Sequence, residues 1–335
     1  WYPRPGTGGV EWAAFDLSLT VPAPFVPFLP GEIVARQVPE GGNRVVTRLR
    51  GPMESIFAAA GKYRTITEEH EGQRVHVSTY AGAKEDEARR VARIVLAVRG
   101  CYEAWFGVPY PFPDLQVVEV NDWGWGQAPP GFVFLTREAL TGRARSQLDE
   151  ESAFLSSITR RGVNARVAHE VAHGYFPHVV KIVTAEENWL SESFSDYVSA
   201  VCLERSMSDR RKARELFEGQ LREWRTATRE LPEGDSVFLA GHVSGTEDAG
   251  ERWFKLLYGK GPLVLHTLRQ ELVARRGERA GDDLFLSWLR AVVTTFAYQA
   301  TSTERIVALL EEMTGEPWQP WFERYVYGSE RPPTK

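Results

Sequence analysis

The chain has 335 residues, 43% of them hydrophobic, with a formal net charge of -5 and a pI near 5.9. That apolar content can bury a sizeable core over about two domains, and a mildly acidic chain gives no reason to expect a nucleic-acid partner. No apolar run approaches the roughly 18 residues of a membrane span. The chain starts at Trp1 with neither Met nor a signal peptide, as a processed form or excised piece would. A signal sequence or membrane anchor upstream, and with it an extracytoplasmic or membrane-associated setting, is compatible with that start. Cys101 and Cys202 are too few for a disulfide framework and form no C-x-x-C pair, so both read as small buried apolar residues.

From Trp1 to about Ala81 the pattern is strand-like. Glu11 to Val21 sets Phe15, Leu17, Leu19 and Val21 on one side, and Glu32 to Val38, Asn43 to Leu49, Ser55 to Thr67 and Gln73 to Tyr80 follow between Pro and Gly punctuation. Short strands at this spacing predict an antiparallel sheet layer. Pro22, Pro24, Pro27 and Pro30 read as an extended connection, since Pro is poorly tolerated in central strands; a proline-rich ligand is the weaker alternative because the P-x-x-P spacing is imperfect. Lys84 to Phe106 predicts a helix, with Glu85, Asp86 and Glu87 at its start and Val91, Ile94, Val95, Val98 and Tyr102 as its apolar stripe. Strands at Leu115 to Val120 and Phe132 to Leu135 then flank a Gly-rich aromatic loop, Asn121 to Gly131.

The stretch from Val163 to Ser199 carries the chemistry. His169, Glu170 and His173 form H-E-x-x-H, and Glu192 follows after eighteen intervening residues. Positions i and i+4 share one helix face, so the two imidazoles converge on one cation while Glu170 stays within reach of a water beside it. Val167, Val171, Ala168 and Ala172 supply the packing stripe, and Gly174 and Pro177 end the helix. A second helix reads from Trp189 to Glu204, with Asn188 as its cap and Glu192 in its first turn. Alone, such a Glu is more often a solvated residue favoured by the helix dipole; two histidines upstream reverse that reading.

Downstream the pattern is mostly helical. Ser208 to Glu230 mixes Arg, Lys and Glu as a solvated helix face does. A loop from Pro232 to Gly250 contains His242, and helices read from Lys260 to Arg275, Asp283 to Phe296 and Thr303 to Met313.

The run His169-Glu-Val-Ala-His173, eighteen residues, then Trp189-Leu-Ser-Glu192-Ser-Phe-Ser-Asp-Tyr197 resembles the aminopeptidase N family of gluzincin zinc metallopeptidases, whose second motif usually reads W-L-N-E-G-F-A-x-Y. The resemblance implies Zn²⁺ as cofactor, His169, His173 and Glu192 as its ligands, and Glu170 as general base. It also singles out Tyr258-Gly-Lys-Gly261, which matches the family's Y-x-K-G, whose tyrosine hydrogen-bonds the oxyanion. The implied fold is α+β: an N-terminal antiparallel β-layer over residues 1–81, then over 82–335 a thermolysin-like, mainly helical catalytic domain with a small mixed sheet. The family's large C-terminal helical domain is expected to be absent.

One departure bears on specificity. Gln127-Ala128-Pro129-Pro130-Gly131 stands where the family carries G-A-M-E-N, whose glutamate binds the free amino terminus of a peptide, and no acidic residue lies between Asp122 and Glu138. Gln127, Ala128, Pro129 and Gly131 remain candidates for substrate binding through backbone and amide hydrogen bonds. The expected function is zinc-dependent hydrolysis of peptides, aminopeptidase-like with an altered amine anchor. A zinc endopeptidase is the first alternative, and a non-catalytic peptide-binding or scaffold module the second.

Overall fold

A computed structural model describes residues 12–53, 55–122, 125–141, 162–182, 184–243 and 248–333. The expected strand start at Glu11, together with Trp123 and Gly124 of the aromatic loop, lies outside the described residues. The chain divides into two compact units, residues 1–96 with 111–146, and residues 97–110 with 147–335.

The first unit begins with β1 (Ala13–Pro22), β2 (Val26–Phe28), β3 (Glu32–Gln37) and β4 (Gly42–Met53). Alternation in β1 works as its sequence predicts: Phe15, Leu17, Leu19 and Val21 are half-buried, their neighbours exposed. They pair antiparallel with β4 in a three-stranded sheet ordered β1-β4-β3, Leu17 opposite Thr47 and Leu19 opposite Val45. The proline series is not wholly a connection. Pro27 lies inside β2, which forms only a two-stranded ribbon with β5 (Ala59–Gly61), where a missing N–H is tolerated.

The strand expected over 55–67 is broken in two. Its first part is β5, bound to β2, and its second is β6 (Arg64–His70), bound to β7 (Gln73–Thr79); partners in two sheets force a bend between them. A five-stranded mixed sheet follows in the order β6-β7-β8-β10-β9, with β8 (Asp114–Val120), β9 (Gly126–Gln127) and β10 (Phe132–Thr136). Here β7, β8 and β10 run parallel. Unlike β1, β8 is buried from Asp114 to Glu119 without alternation, as a parallel strand covered on both faces is.

Asp114 shows how a charged residue is accommodated in such a strand. Its carboxylate accepts hydrogen bonds from Arg74 Nε and Nη2 at 2.7 and 2.8 Å and from Ile33 N at 2.9 Å, and lies 2.9 Å from His76 Nε2. Burial alone pushes its pKa up, but the bonds from His76, Arg74 and Ile33 outweigh burial and bring it down to about 2. A carboxylate whose pKa is depressed on folding stabilises fully above its unfolded pKa of about 4, and that share, about 2 kcal/mol, is lost as pH falls toward 2. Urea unfolding at pH 6 and at pH 2.5 measures it, and Asp114→Asn is expected to flatten the difference.

Between β7 and β8 runs α1 (Glu85–Phe106), with Val91, Val95, Val98 and Tyr102 buried as its stripe predicts. A short α2 (Glu138–Thr141) follows β10. The second unit holds α3 (Gly162–Ala172), β11 (Val180–Ile182), α4 (Trp189–Ser206) and α5 (Arg210–Glu230). It continues with α6 (Ala249–Lys255), a π-helical turn over Leu256–Lys260, α7 (Gly261–Arg276), α8 (Glu278–Thr295), β12 (Gln299–Thr301) and α9 (Thr303–Thr314).

Helix α4 is the centre of this unit, buried on almost every side. Besides Trp189, Leu190, Phe194, Tyr197, Val198 and Val201, its Ser191, Ser193, Ser195, Asp196 and Ser199 are also buried. Asn188 does not cap it. That residue is itself helical, the last of a 3₁₀ turn (Ala185–Asn188) that runs into α4, and its side chain makes no cap bond. The preceding residue anchors the helix in another way. The buried Glu187 accepts the Thr303 N–H at 2.9 Å and the Thr303 hydroxyl at 2.5 Å, tying the entry of α4 to the start of α9.

Cys101 and Cys202 also differ from expectation. They form a disulfide between α1 and α4, with Cα atoms 6.3 Å apart and 101 positions apart in sequence. Nothing local announces such a pair, because only the packing of the two helices brings them together.

Candidate metal centre

Three tyrosines fix α3 by its carbonyl groups or its exit. Tyr102 donates to Ala168 O at 3.0 Å, Tyr110 to Val171 O at 3.0 Å, and Tyr175 to Val108 O at 2.7 Å. So held, α3 turns His169, Glu170 and His173 toward α4, all three with at most 7% of their surface exposed.

Glu192, in the first turn of α4, meets them. His169 Nε2 and His173 Nε2 are 3.1 Å apart, and Glu192 Oε2 lies 3.4 Å from the first and 3.5 Å from the second. Three bonds of 2.0 to 2.1 Å to a tetrahedral Zn²⁺ would place their donor atoms about 3.3 to 3.4 Å apart. The observed edges of 3.1, 3.4 and 3.5 Å are close to those, so two nitrogens and one oxygen approximate one face of a tetrahedron. The group is the only cluster of its kind among the described residues. Two imidazoles and a single carboxylate are also the donor set of a catalytic rather than a structural zinc, since three protein ligands leave the fourth corner open.

Electrostatics match the geometry. Although burial pushes the Glu192 carboxyl up, the His173 and His169 imidazoles hold it well below the usual carboxylate range; against the same burial, the facing carboxylates raise both imidazoles, His169 to about 10, so a metal that binds here displaces protons from them. Glu170 is raised above the ordinary range, chiefly by burial. The second imidazole is gripped from behind: His173 Nδ1 lies 2.6 Å from Phe176 O and 3.2 Å from Ser195 Oγ, leaving Nε2 to face the other two donors.

Tyr258 closes the group. Its hydroxyl donates to Glu192 Oε2 at 2.5 Å, and its ring lies 5.4 Å from His169 and stacks on Phe254 at 4.6 Å. Burial and the Glu192 carboxylate push its pKa well up, so it stays an O–H donor. The two glycines of Tyr258-Gly-Lys-Gly261 set its approach to α4. A Cβ at Gly261 would come 1.9 Å from Ser193 Oγ, and one at Gly259 would come 2.6 Å from the Ala227 methyl on α5. Only glycine lets the π turn settle against both helices, and the Ser193 hydroxyl fastens it there by donating to Leu257 O at 2.7 Å.

The remaining candidates lie in the other unit. Gln127 ends β9, opposite Phe134 of β10, and Ala128, Pro129 and Gly131 form the turn between the two strands, closed by Phe132 N donating to Pro129 O at 2.9 Å. His242 pairs with Glu186 in an exposed contact between two 3₁₀ turns and is not among the converging donors. Sequence reading missed Ser195 and the Phe176 carbonyl behind His173. Serine at i+3 from Glu192 was a visible signal; a backbone carbonyl leaves none.

Among known proteins, the chain is 26% identical over 309 residues to Aminopeptidase M1-D of Oryza sativa subsp. japonica, covering 91% of this chain and 33% of that one. It is 22% identical over 295 residues to Aminopeptidase N of Streptomyces lividans, covering 86% of this chain and 31% of the other. This chain thus spans about a third of the length of these curated relatives. A solved M1 zinc metallopeptidase from Deinococcus radiodurans, in a mutant form bound to a Tyr-Ser-Ala substrate, shares its fold with a TM-score of 0.69 at 20% identity, over 97% of this chain and 66% of the other. Residues 94–325, more than half the chain and including every residue of the donor cluster, match the peptidase family M1 domain. With the H-E-x-x-H helix, the downstream glutamate and the fold in agreement, this chain belongs to peptidase family M1.

Proposed function

We propose that the chain is a zinc peptidase core of aminopeptidase type, in which His169, His173 and Glu192 hold the metal, Glu170 is the general base and Tyr258 supports the oxyanion. The observation that carries this reading is the donor triangle, whose edges of 3.1, 3.4 and 3.5 Å are close to those of a tetrahedral face. When bound, Zn²⁺ supplies Lewis acidity toward the scissile carbonyl and lowers the pKa of a water to about 7. The chain's own groups do the rest. Glu170, one residue from a ligand on the same helix, takes the proton of the attacking water on a carboxylate oxygen and passes it to the leaving amine. The Tyr258 hydroxyl, which stands beside the donor triangle through its bond to Glu192 Oε2, transfers that hydrogen bond to the oxygen on which negative charge develops.

Which peptides are cut depends on the amine anchor. A carboxylate at that place selects a free ammonium through a charge-assisted hydrogen bond, and Gln127 to Gly131 carries none. We read Gln127 and the turn after it as binding substrate through amide and backbone groups, with weakened selection for a free amino terminus. Endopeptidase action is the second reading that this departure favours. The assay is zinc quantification followed by hydrolysis of aminoacyl amides and of N-blocked internal peptides. One zinc per chain with turnover of aminoacyl amides is expected. Turnover of N-blocked peptides alone would make it an endopeptidase, and zinc-loaded protein that binds peptide without cutting it would make it a binding module.

A further inference from the structure

Both ligand histidines turn a second nitrogen away from the donor triangle; that of His173 is hydrogen-bonded, whereas that of His169 closes no hydrogen bond and faces a carboxylate at ion-pair distance. Behind His173 stands a backbone carbonyl. Behind His169 stands a side chain with no part in the reading above: Asp196 Oδ1 lies 3.5 Å from His169 Nδ1. Asp196 sits four positions after Glu192 on α4, hence on the same helix face, so one face presents a carboxylate to each nitrogen of the same imidazole. The other oxygen, Asp196 Oδ2, accepts a hydrogen bond from Trp224 Nε1 at 2.7 Å. Asp196 is 4% exposed and Trp224 is fully buried, so water does not compete for either contact.

We propose that Asp196 is the positioning residue of the metal centre: it fixes the ring of His169 and the tautomer with Nε2 free to ligate, and Trp224 of α5 holds Asp196 in that orientation. A carboxylate behind a ligating imidazole orients the ring and makes the ligating nitrogen a stronger donor. This gives α5 a second role. Its outer face is solvated as its charges suggest, while the indole on its inner face braces the site. The relay Trp224, Asp196, His169 crosses three helices, α5, α4 and α3, and rests on the zinc reading of the donor triangle.

The test is zinc affinity of the full chain, measured by competition with a chromophoric chelator. Asp196→Asn, which keeps shape and loses charge, is expected to weaken zinc binding roughly 10- to 100-fold, with the metal-free melting temperature nearly unchanged. Trp224→Phe is expected to weaken it by a smaller factor, and Asp196→Glu to restore part of the loss. Thr226→Ala, on the exposed face of α5, is the control, expected to change affinity less than about threefold. Asp196→Asn with zinc affinity within twofold of the unaltered chain overturns the proposal, as does a loss of affinity matched by collapse of the metal-free fold. An unaltered chain that takes up no zinc removes the metal centre itself, a result distinct from either.

Discussion

Replacing Glu170 by Gln is expected to leave zinc content at one per chain and to lower turnover by roughly 10²–10⁴-fold. The side chain sits between two ligand positions on one helix turn and is 5% exposed, so the amide fits the same space and disturbs neither imidazole. What it loses is the negative charge that makes the oxygen basic enough to take a proton. A true general base therefore separates the two readouts: metal stays and rate falls. Metal analysis beside steady-state kinetics decides it, and Glu170→Gln with full activity would sink the mechanism. An added sign distinguishes the base from a structural residue. Burial raises the Glu170 pKa above the ordinary carboxylate range, and its loss is not recovered by Glu192, which is committed to the two imidazoles.

Tyr258→Phe is expected to cost roughly 10²–10³-fold in kcat with little change in KM, the size of effect produced by removing one oxyanion donor. The variant keeps the ring stacked on Phe254 and packed near His169 and removes only the hydroxyl that now reaches Glu192. A hydrogen bond made to charge that exists only at the top of the barrier lowers kcat when lost and leaves ground-state binding alone. A rise in KM at constant kcat would assign Tyr258 to substrate binding instead. Loss of zinc would mean that its bond to Glu192 serves the metal.

How much of this was written in the sequence depends on the distance over which each feature is encoded. The α+β architecture, the strand alternation of β1 and the stripe of α1 rest on periods of two and of 3.6 residues, and both were legible. So was the meeting of His169 with His173, which one helix turn dictates. The encounter with Glu192 needed the family motif as well, because eighteen residues of chain do not by themselves set a distance. Features that failed to show are those made by packing. The Cys101–Cys202 link joins helices far apart in sequence. Glu187 took no part in the sequence reading, and only the fold brings Thr303 to it. Asp196 and Trp224 fell in segments read as packing and as solvated surface, and the indole's partner was invisible until α5 lay against α4. Pro27 and Asn188 followed local rules in residue type, yet the ribbon β2-β5 and the 3₁₀ turn before α4 assigned them other places.

The π turn over Leu256–Lys260 has a consequence for how this centre can vary. A wide turn carries one more residue than the α-helical path it interrupts, and each residue advances a helix by about 100°. Deleting a single position there would straighten the run from α6 into α7 and swing the phenol a quarter-turn or more off its bearing, while every apolar contact of α7 could be regained by a small slide. The reach of Tyr258 is thus governed by phase along the helix and not by the strength of the surrounding core, so length in this one segment is far less tolerant of change than its residue types.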